Sequence, residues 1–543
     1  MKQKPSEKRS FTEQFCRFFT SKKAMLFSGI VCAIPFVFPY AAALSWVGYV
    51  PFALVFLNIG KAERARAVFP KAFLFGLSFY TVGYSWLCEL YPMDFIGFDR
   101  TESLLVILLA ITAVPSLHAL ILAACATVCK AVAGKASAPV TALAFPCAIL
   151  FTEYLQSLGA LAFPWCRVFV SQAAFPVLLQ SASLFGSYGL TALVLTVNLL
   201  IAYAWIAPKR RRIFLGAALS LFSVNLLFGA VRMNLSERRF VREDTPRFDA
   251  VVLQGNIPSD RKWNGNVGDM FTRYLALCDQ ALGQFGDNES ASGETRGTLV
   301  LTPETALPVS IDAHSGYAEI LSRYAEENEA SLAVGAFAKL SAGSGNSIFV
   351  FTPDGEISEP YTKRHLVPFG EYLPYRAFFE RFLPALAEIN VLSEDQAAGT
   401  DAVLFDSPVG KIGSLICYES IFPELARENV RAGAEILLIA TNDSWFGSSG
   451  ALRHHLAQAQ MRAIENNVPV LRAANTGISA LIAPDGRIVR SLGANLTGTL
   501  SASLPYGAGA TLYSVLGDII LFAAAAFLVL ARAAAWRSSR RAA

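Results

Sequence analysis

Long stretches of this chain carry no charged side chain, and that limits its fold more than any other feature. Residues 24–60 are uncharged, with a break near Pro39 and Tyr40 that divides them in two. Further uncharged or nearly uncharged runs cover 72–88, 103–129, 136–152, 168–208 and 213–231, and 511–531 holds only Asp518. Crossing the hydrocarbon of a bilayer takes about 20 apolar residues in a helix, because backbone amides find no other partners there. Each run can supply one span. The 168–208 run is too long for one, so its first part is expected at the interface. The reading is seven spans before residue 232 and one after residue 510. Composition agrees, with 54% hydrophobic and 16% charged residues in 543, against roughly 25% charged in an ordinary soluble protein. A disordered chain, a coiled coil and an ordinary cytosolic enzyme are excluded.

Charge is distributed unevenly along the chain. Residues 232–510 hold 23 basic and 33 acidic side chains, a net of −10, while the remainder is +14 and the whole chain +4. Seven Lys or Arg lie in residues 1–23, four in 61–71 and four in the tail after 531, with Lys130, Lys135 and Lys209-Arg210-Arg211-Arg212 between them. The alternate loops hold only Arg100 and Arg167 as basic residues. Basic loops stay in the cytoplasm, so both termini are expected inside and 232–510 on the outer face. The N-terminal segment has no small-residue cleavage site before the second span and reads as retained. Glu153 and Asp518 are expected at span ends among headgroups, and His118 in a hydrogen-bonded packing role. An acidic soluble part carries no nucleic-acid footprint.

From about residue 240 the pattern changes. Candidate strands are 249–254, 298–302, 331–337, 346–351, 411–416, 435–440, 469–474 and 478–483, and candidate helices are 266–285, 315–328, 420–431 and 451–466. Their alternation argues for an α/β domain, with hairpin turns at Pro353-Asp354-Gly355 and Pro484-Asp485-Gly486. The division is a membrane domain over 1–231, a soluble domain over 232–510, and an eighth span with a basic tail over 511–543. No Gly-rich phosphate loop occurs, and the nine cysteines include no CxxC or zinc spacing. No metal or organic cofactor is implied.

Three reactive side chains follow candidate strands: Glu304 in Pro303-Glu304-Thr305 after 298–302, Lys363 in Tyr361-Thr362-Lys363-Arg364-His365-Leu366-Val367-Pro368-Phe369-Gly370-Glu371-Tyr372 after the strand pair around the 353–355 turn, and Cys417 in Ile416-Cys417-Tyr418-Glu419 after 411–416. Sites gather at strand ends of α/β sheets. A carboxylate can take a thiol proton, and a nearby ammonium lowers a thiol pKa and can hold an oxyanion. A lone cysteine is ordinarily buried and inert, and a lone Glu or Lys solvated. The three in this order are far more specific.

Glu304, Lys363 and Cys417 in these motifs resemble the Glu–Lys–Cys triad of the nitrilase superfamily. The run ending in His365-Leu366-Val367-Pro368-Phe369-Gly370-Glu371-Tyr372, together with Asn442-Asp443-Ser444-Trp445-Phe446-Gly447, resembles the bacterial apolipoprotein N-acyltransferase family. Gln254-Gly255-Asn256-Ile257-Pro258 with Trp263, Asn475-Thr476-Gly477-Ile478-Ser479, Phe163-Pro164-Trp165 and Phe185-Gly186-Ser187-Tyr188-Gly189 are similar to it too. The resemblance implies an αββα nitrilase-like domain joined to an eight-span helical bundle in the inner membrane. It implies transfer of the sn-1 acyl chain of a phospholipid, through a Cys417 thioester, to the α-amine of a diacylglyceryl-cysteine on an apolipoprotein. Glu304 is then the general base, and Lys363 with the Tyr418 backbone N–H holds the oxyanion. Glu371 orients Lys363 or the amine, and Glu419 is either an ion-pair partner or a buried structural group. Trp263, Trp445 and Phe446 contact lipid, the last two as a lid. A monomer is expected. Ser259 and Arg453-His454-His455 depart from the family pattern, and both histidines read as structural. The competing readings are a membrane-tethered nitrilase-type amidase and a transporter or receptor, which the polar-poor spans disfavour.

Overall fold

A computed structural model describes residues 11–57, 65–93, 98–133, 138–287, 295–312, 314–382 and 395–542. Helices form in every apolar run: Lys22–Val37, a 3-10 and α segment over 39–56, Val68–Gly83, Arg100–Ala133, Ala138–Leu155, Ala182–Ile206, Arg211–Phe240 and Ile519–Ala542. Among the described residues, five helices are long and apolar enough to cross a membrane: Pro39–Phe56, Arg100–Ala133, Ala182–Ile206, Pro208–Phe240 and Ile519–Arg537. The other apolar helices are short. Lys22–Val37 and Val68–Gly83 have 16 residues each, or about 24 Å of rise. The 168–208 run does divide, into a 3-10 turn at Val168–Gln172, a short helix at Pro176–Leu179 and the long helix from Ala182.

The bundle is closed by aromatic packing. Phe52 stacks on Phe75 at 4.7 Å and meets Phe145 edge-on at 5.7 Å. Gly29 permits close approach of the two 16-residue helices, since a Cβ there would lie 2.3 Å from the Phe75 carbonyl oxygen. Outward-facing apolar side chains such as Leu105, Leu219 and Phe522 are 62–75% exposed, the surface a helix presents to lipid. His118 is buried and shares a 2.8 Å hydrogen bond with the Tyr84 hydroxyl, as expected. Glu153 lies near the end of helix Ala138–Leu155 but is enclosed by the bundle. It is 3% exposed, accepting from Val168 N–H at 2.8 Å and from Thr191. Asp518 pairs with Arg427 at 2.7 Å, joining the last helix to the α/β part.

Twelve strands form two six-stranded sheets. They are β1 (Arg247–Gln254), β2 (Thr295–Leu301), β3 (Ala330–Leu340), β4 (Gly343–Phe351), β5 (Tyr361–Thr362), β6 (Leu404–Phe405), β7 (Ile412–Ile416), β8 (Ile436–Thr441), β9 (Val470–Ala474), β10 (Ser479–Ile482), β11 (Ile488–Leu492) and β12 (Gly498–Pro505). The orders are β12-β1-β2-β3-β4-β5 and β11-β10-β9-β8-β7-β6, with β1-β2-β3 and β7-β8-β9 parallel at the two centres. Period-two alternation sends alternate side chains to opposite faces. Phe248, Ala250 and Val252 of β1 and Ile436, Leu438 and Ala440 of β8 fill the layer between the sheets. Val251 and Leu253 face outward onto helices 267–287 and 316–327. The expected αββα sandwich is present.

The outer layer of the second sheet is also the inner wall of the bundle. Leu437, Ile439, Val470 and Ile482 share one apolar core with Leu456, Ile464 and the bundle aromatics. Helix Ala451–Asn466 is buried along nearly its whole length. His454 accepts from the Trp165 indole at 3.2 Å and its other ring nitrogen lies 2.7 Å from the Phe36 carbonyl oxygen. Glu465 accepts from Ser187 N–H at 2.8 Å. His454 thus has the structural role expected of it.

Candidate active site

Cys417 lies where β7 runs into a 3-10 helix, Cys417–Ile421. Its φ of 53° is left-handed, a conformation non-glycine residues adopt only under surrounding constraint. The constraint is Glu419. Its carboxylate accepts from Ile416 N–H at 2.7 Å, Arg364 N–H at 2.7 Å and His365 N–H at 3.1 Å, and both its oxygens lie 2.9 Å from the Tyr361 hydroxyl. Of the two roles left open for Glu419, the buried structural one matches this geometry, because four donors surround the carboxylate and, among the described residues, no ion pair to it forms. It ties the Cys417 turn to the segment that carries Lys363. Glu419→Ala should leave those amides and the hydroxyl without an acceptor inside the protein. At about 1–3 kcal/mol for each buried group left unsatisfied, we expect a loss of at least about 3 kcal/mol, read as a lower denaturation midpoint.

Glu304 follows β2 on a loop laid directly on β3, with Thr302 N–H donating to Ala333 O at 2.9 Å and Gly335 N–H to Thr302 Oγ1 at 3.0 Å. Gly335 has to be glycine-sized, since a Cβ there would lie 2.3 Å from Pro303 O. Lys363 follows β5, its N–H donating to Asn346 O at 2.8 Å. The three strand ends therefore meet. Lys363 Nζ is 3.0 Å from Glu304 Oε1 and 2.7 Å from Glu371 Oε1. Asn346 Nδ2 donates to Glu304 Oε1 at 2.7 Å, and Asn442 N–H to Glu304 Oε2 at 2.9 Å. Glu371 Oε2 accepts from Val367 N–H at 2.8 Å. Glu304, Lys363 and Glu371 are buried, and Cys417 is the partly accessible member of the group.

The electrostatics follow from this packing. Burial pushes the Glu304 carboxyl up, but Lys363 and Lys262 beside it outweigh burial and hold it below its usual range. Burial also pushes Glu371 up, and there Lys363 does not fully offset it. Burial lowers Lys363, but Glu304 and Glu371 raise it well above the ordinary lysine value. Burial and the Glu304 charge push the Cys417 thiol up, and they outweigh the lowering by Lys363 that is expected from the sequence. The resting group is a thiol, and its proton has to leave as it attacks.

A second network lies behind Cys417. Asp443 is 2.8 Å from His455 Nδ1 and 2.6 Å from Arg472, and His455 Nε2 is 3.1 Å from the Cys417 carbonyl oxygen. Burial raises Asp443, but Arg472 and His455 reverse that and hold it far below the usual carboxylate range. Cys417, Asp443 and His455 bring possible metal-ligand atoms within 4.8 Å of one another. Arg472 and Thr441 already occupy the Asp443 oxygens, and the set reads as a brace for the Cys417 turn.

The predicted contact residues divide. Tyr418 is buried, its hydroxyl donating to Ala162 O and its ring stacked on Phe163 at 6.3 Å. Phe446 packs against Trp86 at 5.2 Å and Trp165 at 5.4 Å, so its loop is seated on the bundle. Trp445 is half-buried beside it, and Trp263 is 45% exposed on the short helix Ser259–Asn264. Three partners of Glu304 escaped the sequence reading. Lys262 Nζ donates to the Glu304 carbonyl oxygen at 2.8 Å, and Asn346 and Asn442 donate to its carboxylate. Lys262 beside the exposed Trp263 reads as a solvated lysine, and a strand asparagine carries no pattern of its own.

With this geometry in place, comparison with known proteins is decisive. The Carbon-nitrogen hydrolase family matches residues 253–511, and the Apolipoprotein N-acyltransferase N-terminal domain matches residues 28–200. The apolipoprotein N-acyltransferase of Bradyrhizobium diazoefficiens is 35% identical over 73% of this chain and 74% of its own length. The chain belongs to the apolipoprotein N-acyltransferase family. Its Rhodopseudomonas palustris relative of the same name is 32% identical over 88% of this chain and 89% of its own. A Saccharomyces cerevisiae protein of branch 10 of the nitrilase superfamily is 21% identical, with a TM-score of 0.37 over 48% of this chain and 90% of its own. Family membership accounts for both halves of the molecule, the apolar bundle and the α/β sandwich, in one membrane enzyme.

Proposed function

We propose that this chain is the inner-membrane enzyme that moves the sn-1 acyl chain of a phospholipid onto the α-amine of a diacylglyceryl-cysteine at the N-terminus of an apolipoprotein. The observation that carries the reading is the partly accessible Cys417, within reach of the Glu304 and Lys363 charges, next to the buried Glu304–Lys363–Glu371 cluster. Next to it, Trp86, Phe163 and Trp165 of the bundle meet Tyr418 and Phe446 of the sandwich. A water-soluble substrate needs no such aromatic wall, and an acyl chain does.

In this mechanism the Cys417 sulfur attacks the ester carbonyl while its proton passes to Glu304 Oε. The tetrahedral oxyanion takes the Lys363 ammonium and the Tyr418 N–H, which lies in the first turn of a helix where amides lack an internal acceptor. Collapse breaks the ester C–O bond, and Glu304 returns the proton to the departing lysophospholipid alkoxide. The thioester then meets the lipoprotein amine. Glu304 takes the amine proton, the C–S bond breaks, and the proton restores the thiol. Both half-reactions use one base and one oxyanion site, a ping-pong scheme. Glu371 orients Lys363, and Trp263, Trp445 and Phe446 contact lipid.

In this reading the chain crosses the membrane eight times, the basic loops keep both termini in the cytoplasm, the 232–510 domain lies on the outer face, and the working unit is a monomer. The short helices Lys22–Val37 and Val68–Gly83 complete their spans with flanking residues or by local thinning of the bilayer. The test supplies purified protein with phospholipid and a diacylated lipopeptide. A third acyl chain on the peptide supports the reading. Release of free fatty acid with an unchanged peptide mass would favour the amidase-type hydrolase, in which water resolves the thioester.

A further inference from the structure

Two carboxyl groups compete for one ammonium in this site. Glu304 Oε1 and Glu371 Oε1 lie 3.0 and 2.7 Å from the same Lys363 Nζ, and the Asn346 amide reaches both, at 2.7 and 3.5 Å. All three charged groups are buried, with Lys363 0% exposed, Glu304 5% and Glu371 9%. Two like charges at such a site cannot both ionise freely, so one carboxyl tends to keep a proton. With Lys363 alone, nothing in the charge balance decides that the proton stays on Glu371 and leaves Glu304 free to act as base.

Lys262 breaks the tie. It is 3% exposed and its Nζ donates to the backbone oxygen of Glu304 at 2.8 Å. Burial lowers this lysine to about 8, with Glu304 working in the other direction, so it is a cation at neutral pH. Glu304 is faced by Lys262 from helix Ser259–Asn264, Lys363 and Glu371 from the segment after β5, Asn346 from β4, the Asn442 N–H after β8, and Cys417. The second cation is on the Glu304 side, whereas among the described residues the cation paired with Glu371 is Lys363.

We propose that Lys262 is a positioning residue of the acyl-transfer site, whose buried ammonium keeps Glu304 ionised and leaves the shared proton on Glu371. This rests on the acyl-transfer reading, under which Glu304 is the base. The helix also carries Trp263 and is bonded to the aromatic loop through Ser259 Oγ and Ser444 Oγ at 3.0 Å, so Lys262 lies between the exposed lipid-contact residues and the base.

The test is the pH profile of kcat/KM for transfer to a diacylated lipopeptide, with the full-length protein in detergent. Lys262→Met should move the acid limb upward by at least about one pH unit while activity recovers at alkaline pH. Lys262→Gln, which keeps a hydrogen-bond donor but no charge, should move it in the same direction. Adding Glu371→Gln to either variant removes the competing carboxyl and should bring the limb back down. A limb that stays at the wild-type position in a folded variant, or a loss that is equal at every pH, would overturn the proposal. If the wild-type chain transfers no acyl group, the functional reading itself fails. The Glu304 carboxyl stretch, followed against pH by infrared difference spectroscopy with Glu304→Gln as the reference, then still reads its protonation without substrate, and a titration unshifted by Lys262→Met there overturns the role of Lys262 on its own.

Discussion

Replacing Cys417 with serine should lower acyl transfer by on the order of a thousandfold or more, the scale seen when a catalytic nucleophile is removed, while the fold is kept. The change is one atom at a partly exposed position. The turn is held by Glu419 and His455 through backbone groups, and a serine hydroxyl can keep the contact that the sulfur makes with Thr441. Stability should therefore hardly move, and a melting temperature within a few degrees of wild type is the control. Activity should collapse because an alcohol holds its proton more tightly than a thiol, and the base here is a carboxylate held below its usual range by two lysines. Such a base can take a thiol proton in concert with attack, yet is too weak for serine. A variant that kept a tenth of wild-type transfer would remove Cys417 from the mechanism.

Glu304→Gln should cost about 10²–10⁴-fold in kcat/KM, the usual contribution of a positioned general base. The amide oxygen can still accept from Lys363 Nζ or from the Asn442 N–H, so the loop should stay in place. The proton acceptor is lost in both half-reactions. Acylation by phospholipid and discharge to the amine should thus slow together, which separates a base from a residue that only binds donor lipid. The residual rate should rise with pH as solvent hydroxide substitutes for the missing carboxylate, where the wild type, with Glu304 ionised well below neutrality, should be flat through neutral pH. A variant whose acylation alone was slowed would contradict this assignment.

The reactive centre was readable in the sequence because Glu304 and Cys417 directly follow candidate strands and Lys363 follows the candidate strand pair around the 353–355 turn, and the ends of these segments, from two packed sheets, converge. Helix 451–466 was placed to the residue, since its apolar pattern is continuous. What escaped has physical reasons. Strands β5 and β6 are two residues long and carry no period. β12, Gly-Thr-Leu-Ser-Ala-Ser-Leu-Pro, is built from small residues whose burial depends on pairing with β1. Lys262 is charged, yet it is buried by a carbonyl 42 residues away. Desolvation of the Cys417 thiol, which only the folded packing reveals, outweighs the lowering by Lys363 that the sequence implies. Glu153 looked like a headgroup carboxylate because its partners, Val168 and Thr191, come from other elements of the bundle.

In the proposed mechanism Cys417 carries the acyl chain from phospholipid to lipopeptide, and the intact mass of the protein after incubation with phospholipid alone reads that step. We expect one added acyl group, located on Cys417, labile to hydroxylamine, and lost when a diacylated lipopeptide is added as that peptide gains the same mass. An unmodified protein that still acylates the peptide, or an adduct that persists in Cys417→Ser, would contradict it.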